Sequence, residues 1–179
     1  MHQTRNGASS GQSLVEFAIS AVVLVVLFGG LVDLTRAMHF ADVGQNAVRE
    51  GARRGAFFNA GSGTNPYLDD ADIKMAVDAQ LAAGGLGPST LRNPLSNCSA
   101  VNPPYSAGLF PAVANQSTLY ICYPGGTADY PSTPASGLQG QDLNVILLIA
   151  YGPLTAAVPG PLGGNYAIGA NLHVRVQGG

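Results

Sequence analysis

The sequence predicts an α+β protein in which a long N-terminal helix, membrane-spanning in its first half, precedes a small head with a second helix and an antiparallel sheet. Two observations carry this prediction. Residues 14–32 read LVEFAISAVVLVVLFGGLV, an apolar run of 19 residues with one charge, Glu16. Further along the chain, helical patterns come first and strand-like segments later, an order typical of α+β domains.

The apolar run has the length of a membrane-spanning helix. At about 1.5 Å per residue it measures roughly 28 Å, close to the roughly 30 Å hydrocarbon core of a bilayer. A helix buried in a soluble domain would show a polar stripe, which this run lacks. A signal peptide would have an apolar region of about 7–15 residues that ends at a small-residue cleavage site. Because this run is longer and continues into helical sequence, we expect a retained membrane helix.

The helical pattern continues beyond the apolar run, to about residue 58. A loose apolar stripe is formed by Leu31, Leu34, Met38, Ala41 and Val48. Polar residues, among them Asp33 and Arg36, are expected on the other faces. Glu50 and Arg54 stand four residues apart with the acid first, which favours an ion pair on the helix surface. Glycines along this helix would let another helix approach closely.

The head is expected to contain one helix and three strands. Residues 67–83 show helical spacing of apolar residues, with Asp69, Asp70 and Asp72 at the helix start and Gly84-Gly85 at its end. Residues 85–141 are rich in Pro and Gly and read mostly as loop, with one strand at 117–123. The other two strands are expected at 142–151, a buried apolar run, and at 165–176, where apolar and polar residues alternate.

Composition and motifs argue against several classes of function. Charged residues make up 10% of the chain, with a net charge of −2 and no basic stripe, which excludes electrostatic binding of nucleic acid. His2, His39 and His173 lie far apart in the sequence, with no Ser or Cys motif beside them. The aspartates at 69–72 lack the Gly and Glu of a calcium-binding loop. We therefore expect no enzyme, no metal, no cofactor and no small-molecule substrate.

Cys98 and Cys122 are the two cysteines of the chain. Their spacing does not resemble a zinc site. In an oxidising compartment a disulfide between them is the simplest interpretation. It would close a loop of about 25 residues and stabilise the folded state by roughly 3 kcal/mol. Two buried thiols are the alternative.

The residues before the apolar run carry a resemblance to a known processing site. They read MHQTRNGASSG, then QSLVEF, so that a polar leader ends in Gly11 and Glu16 stands fifth after it, followed by Phe17. This pattern resembles the site that type IV prepilin peptidases cut. The resemblance implies cleavage after Gly11 and a mature chain that begins at Gln12. The aromatic after the Glu resembles the Glu-Tyr or Glu-Phe pair of Tad (tight adherence) pilins.

Two further segments resemble the TadE-like family of minor pseudopilins. The stretch NAVREGARRGA at 46–56 is similar to an Ala/Arg-rich segment that follows the membrane helix in that family, and residues 142–176 are loosely similar to its last strands. The resemblance implies a subunit that takes part in assembly of a Tad-type (type IVb-like) pilus. Its partners would be the membrane, a prepilin peptidase, other pilin or pseudopilin subunits and the Tad assembly machinery. A single-span, membrane-anchored surface or periplasmic binding module unrelated to pili is the alternative.

The implied organisation has four parts: a leader at 1–11, a transmembrane helix at 12–32, its extramembrane continuation at 33–58, and an exported head at 59–179. Glu16 and Phe17 would belong to the assembly site. Glu16 would pair with the α-amine that cleavage creates at Gln12, on its own chain or on a neighbour. The alternative is that Glu16 only reaches the nearby head groups.

We expect a single pass through the bacterial cytoplasmic (inner) membrane, with the N-terminus inside and the head periplasmic or extracellular, and incorporation into the pilus is open. A plain count of Lys and Arg favours the opposite orientation, because the C-terminal flank carries Arg36, Arg49, Arg53 and Arg54. We give this count less weight, since Asp33, Asp42 and Glu50 reduce the net positive charge of that flank and the cysteines indicate export.

Overall fold

The computed structural model of the chain describes residues 9–56, 70–92, 101–122, 142–155 and 164–177. Its helices and strands are α1 (Ser9–Ala56), α2 (Asp70–Ala83), β1 (Thr90–Leu91), β2 (Gln116–Cys122), β3 (Asp142–Tyr151) and β4 (Tyr166–Arg175). A short 3-10 turn, Ala107–Leu109, precedes β2. The predicted α+β architecture is confirmed: one long helix, a second helix and a single sheet.

The sheet has the strand order β1-β2-β3-β4. Strands β2, β3 and β4 are antiparallel to their neighbours, as predicted. Strand β1 pairs in parallel with β2 through Thr90 opposite Thr118 and Leu91 opposite Leu119, so the sheet is mixed rather than wholly antiparallel. A two-residue strand in a Pro/Gly-rich segment is too short to show an alternating pattern, which is why the sequence did not predict it.

Strand β3 and helix α2 both run along α1 in the opposite direction. Leu143, at the start of β3, packs against Gly55, and Ile149, near its end, packs against Gly44. Tyr151 then reaches Asp33. At the other end of the sheet, the amide of Gln177 donates to the carbonyl of Ala56, at 3.0 Å. One end of the head is therefore next to residues 29–33 of α1, and the other is next to residue 56.

Both faces of the sheet are covered. On one face, α1 and α2 contribute a core that includes Phe40, Val43, Val48, Ile73, Val77 and Leu81. On the other face, residues of the 101–110 segment pack against the sheet in a second cluster, Val101, Phe110, Tyr120, Cys122, Ile146 and Leu148. Because β3 lies between two covered faces, nine of its ten residues are buried, as its continuous apolar run predicted.

Glycines on α1 allow α2 and the sheet to approach closely. A Cβ atom at Gly51 would lie 2.6 Å from Cγ2 of Val77, and one at Gly55 would lie 2.5 Å from Cδ2 of Leu143. The sequence predicted that glycines on this helix admit another helix. The helix that approaches Gly51 is α2 of the same chain.

Helix α2 ends as expected at Gly84-Gly85. Gly85 has a φ of +80°, a backbone conformation that favours glycine. The amide of Gly85 donates to the carbonyl of Ala82, and the amide of Leu86 donates to that of Leu81. These two bonds form a Schellman motif, which satisfies carbonyls at the helix end. The predicted start of this helix at residues 67–69 lies outside the described residues.

Two predictions about α1 are wrong in detail. Leu31, Leu34 and Met38 were expected on one apolar stripe with Val48, but they are exposed and only Val48 is fully buried. Glu50 accepts from Nε of Arg53, at 2.9 Å, rather than pairing with Arg54. Arg54 instead contacts Asp72 of α2, at 3.1 Å. Both errors arise because spacing within one helix does not show which face the head covers.

Candidate functional site

The predicted processing and assembly residues lie on the first turns of α1, away from the head. Gly11, Gln12, Glu16 and Phe17 are all exposed, and the side chain of Phe17 is 75% exposed. Nε2 of Gln12 donates to Oε1 of Glu16, at 3.1 Å. These residues therefore share one helical turn, and the carboxylate at Glu16 has a partner within its own helix. The leader residues 1–8 lie outside the described residues.

The side chains that follow form a continuous apolar surface. The helix Gly11–Ala56 contains an 18-residue stretch with a mean hydropathy of 2.5 of which no residue is buried, and among the described helices it is long and apolar enough to cross a membrane. Exposed Leu, Val and Phe side chains such as Leu24, Val25 and Phe28 cover it on every side. Over this stretch no other described part of the chain covers the helix, as a lipid-facing segment requires.

Asp33 joins α1 to the end of β3, and sequence analysis missed it. Its carboxylate accepts hydrogen bonds from the amide of Leu154, at 2.7 Å, and from the amide of Thr155, at 2.9 Å. It also accepts from the hydroxyls of Tyr151, at 3.2 Å, and of Thr155. We call Asp33 with Tyr151, Leu154 and Thr155 the Asp33 anchor. The three donor residues belong to the AYGPLT segment, which resembles the TadE-like family only loosely.

Donors surround the Asp33 carboxylate and favour its charged form. The hydroxyl of Thr155 contributes most, and with the amides of Leu154 and Thr155 and the hydroxyl of Tyr151 it lowers the pKa of Asp33 to about 2, although desolvation acts in the opposite direction. Burial raises the pKa of Tyr151, and the neighbouring Asp33 charge raises it further. Asp33 is therefore an ionised acceptor at neutral pH. The sequence signal was weak, a lone Asp directly after the apolar run.

Aromatic contacts surround the anchor. The guanidinium carbon of Arg36 lies 5.7 Å from the ring centre of Phe40 and 5.9 Å from that of Tyr151, within the range of cation–π contacts. The rings of Phe40 and Tyr151 meet edge to face at 5.6 Å. Arg36, which was expected on a polar face of the helix, thus packs across the junction between helix and sheet.

A cleft of about 290 Å³ opens at the same junction. It lies between α1 and the start of the β3–β4 connection, and its lining is mostly apolar: Gly30, Asp33, Leu34, Ala37, Tyr151, Pro153, Thr155 and Tyr166. The Asp33 carboxylate in its wall is already bonded to the anchor donors. The cleft therefore offers a mostly apolar surface.

The other residues considered in the sequence, where the structure describes them, form no reactive group with one another. His173 pairs with Asp142, at 2.7 Å, on the exposed end of the sheet, and His39 contacts the carbonyl of Gly84. Within the described ranges, no three His, Cys, Asp or Glu residues lie close enough together to hold a metal. Cys122 is buried at the end of β2. Cys98 lies outside the described residues, so its pairing with Cys122 stays a prediction.

Among the described residues, one exposed apolar helix packs against a small α+β head along its second half, and it is long and apolar enough to cross a membrane. This arrangement defines the class: a head carried on one apolar helix. The model of the TadE-like protein family matches residues 11–53. The match starts at Gly11, covers about a quarter of the chain and includes Asp33 but not the sheet. It confirms the resemblance predicted from the sequence and supports a protein associated with the Tad pilus.

No curated protein matches the chain, and no solved structure matches it.

Proposed function

We propose that the chain is a minor pseudopilin-like subunit that takes part in assembly of a Tad-type pilus, after a prepilin peptidase removes residues 1–11. The observation that carries the proposal is the TadE-like match from Gly11 onward, along a helix whose apolar surface is exposed. This surface is what a subunit needs to sit in the membrane and then to pack against the helices of other subunits. The proposed role is assembly, with no catalytic step.

Glu16 has a defined part in this proposal. In the uncleaved chain its carboxylate accepts from the side chain of Gln12. Cleavage after Gly11 turns the backbone nitrogen of Gln12 into a charged amine one helical turn away. An ionised carboxylate among apolar side chains is costly unless it is paired. Pairing with that amine, on the same chain or on an adjoining one, would neutralise both charges and align neighbouring helices, with Phe17 packed beside them.

The head moves with the helix in this proposal. The Asp33 anchor ties the end of β3 to α1, and the contacts at Gly44, Gly51 and Gly55 hold the sheet and α2 further along the helix. A displacement of the helix during assembly would therefore displace the head as one body. The orientation proposed is N-terminus inside and head outside the bacterial inner membrane.

The mass of the mature N-terminus tests the proposal. The full chain is produced in cells with and without a Tad prepilin peptidase, and the membrane fraction is analysed by mass spectrometry. We expect a chain that begins at Gln12 when the peptidase is present and one that retains the leader when it is absent. An intact leader in both strains, or a cut beyond Phe28, would favour the membrane-anchored module unrelated to pili.

A further inference from the structure

The start of the β3–β4 connection lies at the level of the expected membrane segment. Thr155 packs against Gly29, where a Cβ would lie 2.8 Å from Cγ2 of Thr155. Gly29 is within residues 12–32, four residues before Asp33. At about 1.5 Å per residue, the contact lies roughly 6 Å along the helix from Asp33, toward the membrane. The head therefore extends back along α1, past the end of the apolar run.

This end of the head is apolar and uncharged. The side chain of Leu154 is 67% exposed although it stands beside a buried junction. No charged residue occurs between Gly152 and Ala170. We call Pro153, Leu154 and Thr155 the apolar tip. In water the apolar tip would expose its hydrocarbon surface, whereas at a bilayer this surface would be buried among the lipids.

The cleft connects the apolar tip with the apolar surface of the helix. Gly30, Leu34 and Ala37 form its helix side, and Pro153, Tyr151 and Tyr166 form its head side. Leu34 is itself exposed, and it continues the surface of the membrane segment by one turn. Within the described residues, no atom of another part of the chain lies within 4 Å of the Cβ position of Gly30, so this part of the structure leaves the cleft open beside it. The cleft is thus continuous with the apolar surface of α1 that is expected to face lipid.

We propose that the apolar tip inserts into the leaflet on the side of the head, and that the cleft takes an acyl chain of a lipid from that leaflet. The reasons are the level of the tip beside Gly29, the continuity of the cleft with the lipid-facing helix, and the absence of charge in the tip. The proposal goes beyond the proposed function, since it requires only that residues 12–32 cross a membrane.

Tryptophan fluorescence tests the proposal, because the chain contains no Trp. Leu154→Trp reports on the tip and Tyr166→Trp on the cleft. The matched control is Met75→Trp, an exposed apolar residue on α2 next to Val77, which packs against Gly51. Gly51 lies about 33 Å from Gly29 along the helix axis. Each purified full-length variant is placed in nanodiscs of phosphatidylcholine with bromine in the acyl chains, and in unbrominated nanodiscs of the same lipid.

We expect the acyl bromines to reduce the emission of Leu154→Trp and of Tyr166→Trp by about half or more, since interfacial side chains insert about 5–10 Å. Their emission should also be shifted to the blue, and Met75→Trp should show neither effect. Val22→Trp, in the middle of the apolar run, should be quenched and confirms that the helix is inserted. Equal circular dichroism spectra show that the variants fold alike.

Two results would overturn the proposal in a sample where Val22→Trp is quenched. If Leu154→Trp and Tyr166→Trp emit at long wavelength without quenching, water covers this end of the head. If either emits at short wavelength without quenching, protein covers it instead, such as the helix of a second copy. Neither result depends on cleavage at Gly11 or on a pilus, so the proposed function is tested separately.

Discussion

Helix α1 has two halves with the same backbone conformation and different surroundings. Residues 11–32 carry large apolar side chains that are exposed, and the head approaches this half at Gly29, beside Thr155, and at Gly30 in the cleft. Residues 33–56 carry small residues at the contacts with the head, among them Gly44, Ala47, Gly51 and Gly55. Asp42, Arg49 and Arg53 lie on the open side, whereas Asp33 and Arg36 belong to the junction with the head. The first half is suited to contact with lipid chains, and the second half is suited to contact with one folded head.

The difference follows from what each half packs against. Lipid chains adapt to any side-chain shape, so the first half needs only apolar surface and length. A folded head has a fixed shape and is packed to nearly crystalline density, so the second half needs gaps that admit particular side chains, such as Val77 at Gly51. Small residues near a membrane helix therefore do not by themselves indicate contact with another subunit.

Gly11→Val should have the largest effect, a complete loss of leader removal. A peptidase that recognises glycine at the scissile position has little room for a side chain there. Gly30→Val is the matched control, because it makes the same change in the same half of the helix, at a position where no other described residue lies within 4 Å of the added Cβ. N-terminal mass spectrometry should find the leader retained in Gly11→Val and absent in Gly30→Val. A normal mature mass for Gly11→Val would contradict the processing site.

Glu16→Ala should keep processing and membrane level near normal while it weakens association with other pilin subunits. A charge left buried without its partner costs on the order of 3–5 kcal/mol, which corresponds to a loss of about 100-fold or more in association. Glu50→Ala is the control from the second half, where the carboxylate bonds to Arg53 of its own helix. Co-purification with the major pilin measures the effect. Unchanged co-purification of Glu16→Ala would leave Glu16 as a residue that only reaches the head groups.

Reduction of a Cys98–Cys122 disulfide should lower the free energy of unfolding of the head by roughly 3 kcal/mol, because the bond closes a loop of about 25 residues. Peptide mapping without reductant should find the two cysteines linked, and alkylation should label neither until reductant is added. Cys98→Ser provides a control that does not change further on reduction. Labelling of both cysteines in the native membrane protein would contradict the disulfide and weaken the proposed orientation.

Gly51→Val should destabilise the head by about 1–3 kcal/mol, because the new side chain overlaps Val77 in a fully packed core. The β-branched Val77 has little freedom to move aside on its helix. Gly30→Val, at the open position in the first half, should leave the unfolding of the head unchanged. Urea denaturation of the detergent-solubilised chain, followed by near-ultraviolet circular dichroism, measures both. Equal midpoints would show that the two halves do not differ in packing as proposed.

Asp33→Asn should have the smallest effect, and one that depends on pH. The pKa of Asp33 is lowered from 3.8 to about 2, so the folded state favours the charged form. Its contribution to stability is therefore fully present above about pH 4 and is lost as the pH falls toward 2. Asparagine would turn an amide donor toward the amide and hydroxyl of Thr155, so the variant should already be less stable at pH 7.

Thermal unfolding at pH 7 and at pH 2.5 measures this difference. We expect the wild-type chain to lose more stability between these two values than Asp33→Asn does. Asp42→Asn removes an exposed carboxyl from the same helix and is the control. A stability difference between wild type and Asp33→Asn that is the same at both values would show that the anchor does not depend on the charge of Asp33.

Several features could be predicted because they are written in local sequence. The apolar run at 14–32 indicates a membrane helix by length and composition, and the family match confirms the resemblance there. The strand predicted at 142–151 has the same bounds as β3, since a continuous apolar run ending in Gly-Pro marks both its burial and its end. Strands predicted at 117–123 and 165–176 agree with β2 and β4 to within a residue at each end. Gly84-Gly85 ends α2 as predicted, because Gly85 adopts a positive φ.

Only the tertiary structure decided which side chains of α1 the head covers. Asp33 and its donors in the Asp33 anchor are 118 to 122 residues apart in the sequence, and no pattern within either segment shows that they meet. The same holds for the parallel pairing of β1 and for Arg54 with Asp72, which each join separate elements. Hydrophobic periodicity indicates whether a side chain is removed from water. A lipid bilayer and a protein core both remove it from water, so periodicity does not distinguish between them. The choice between them depends on contacts that form only when the chain has folded.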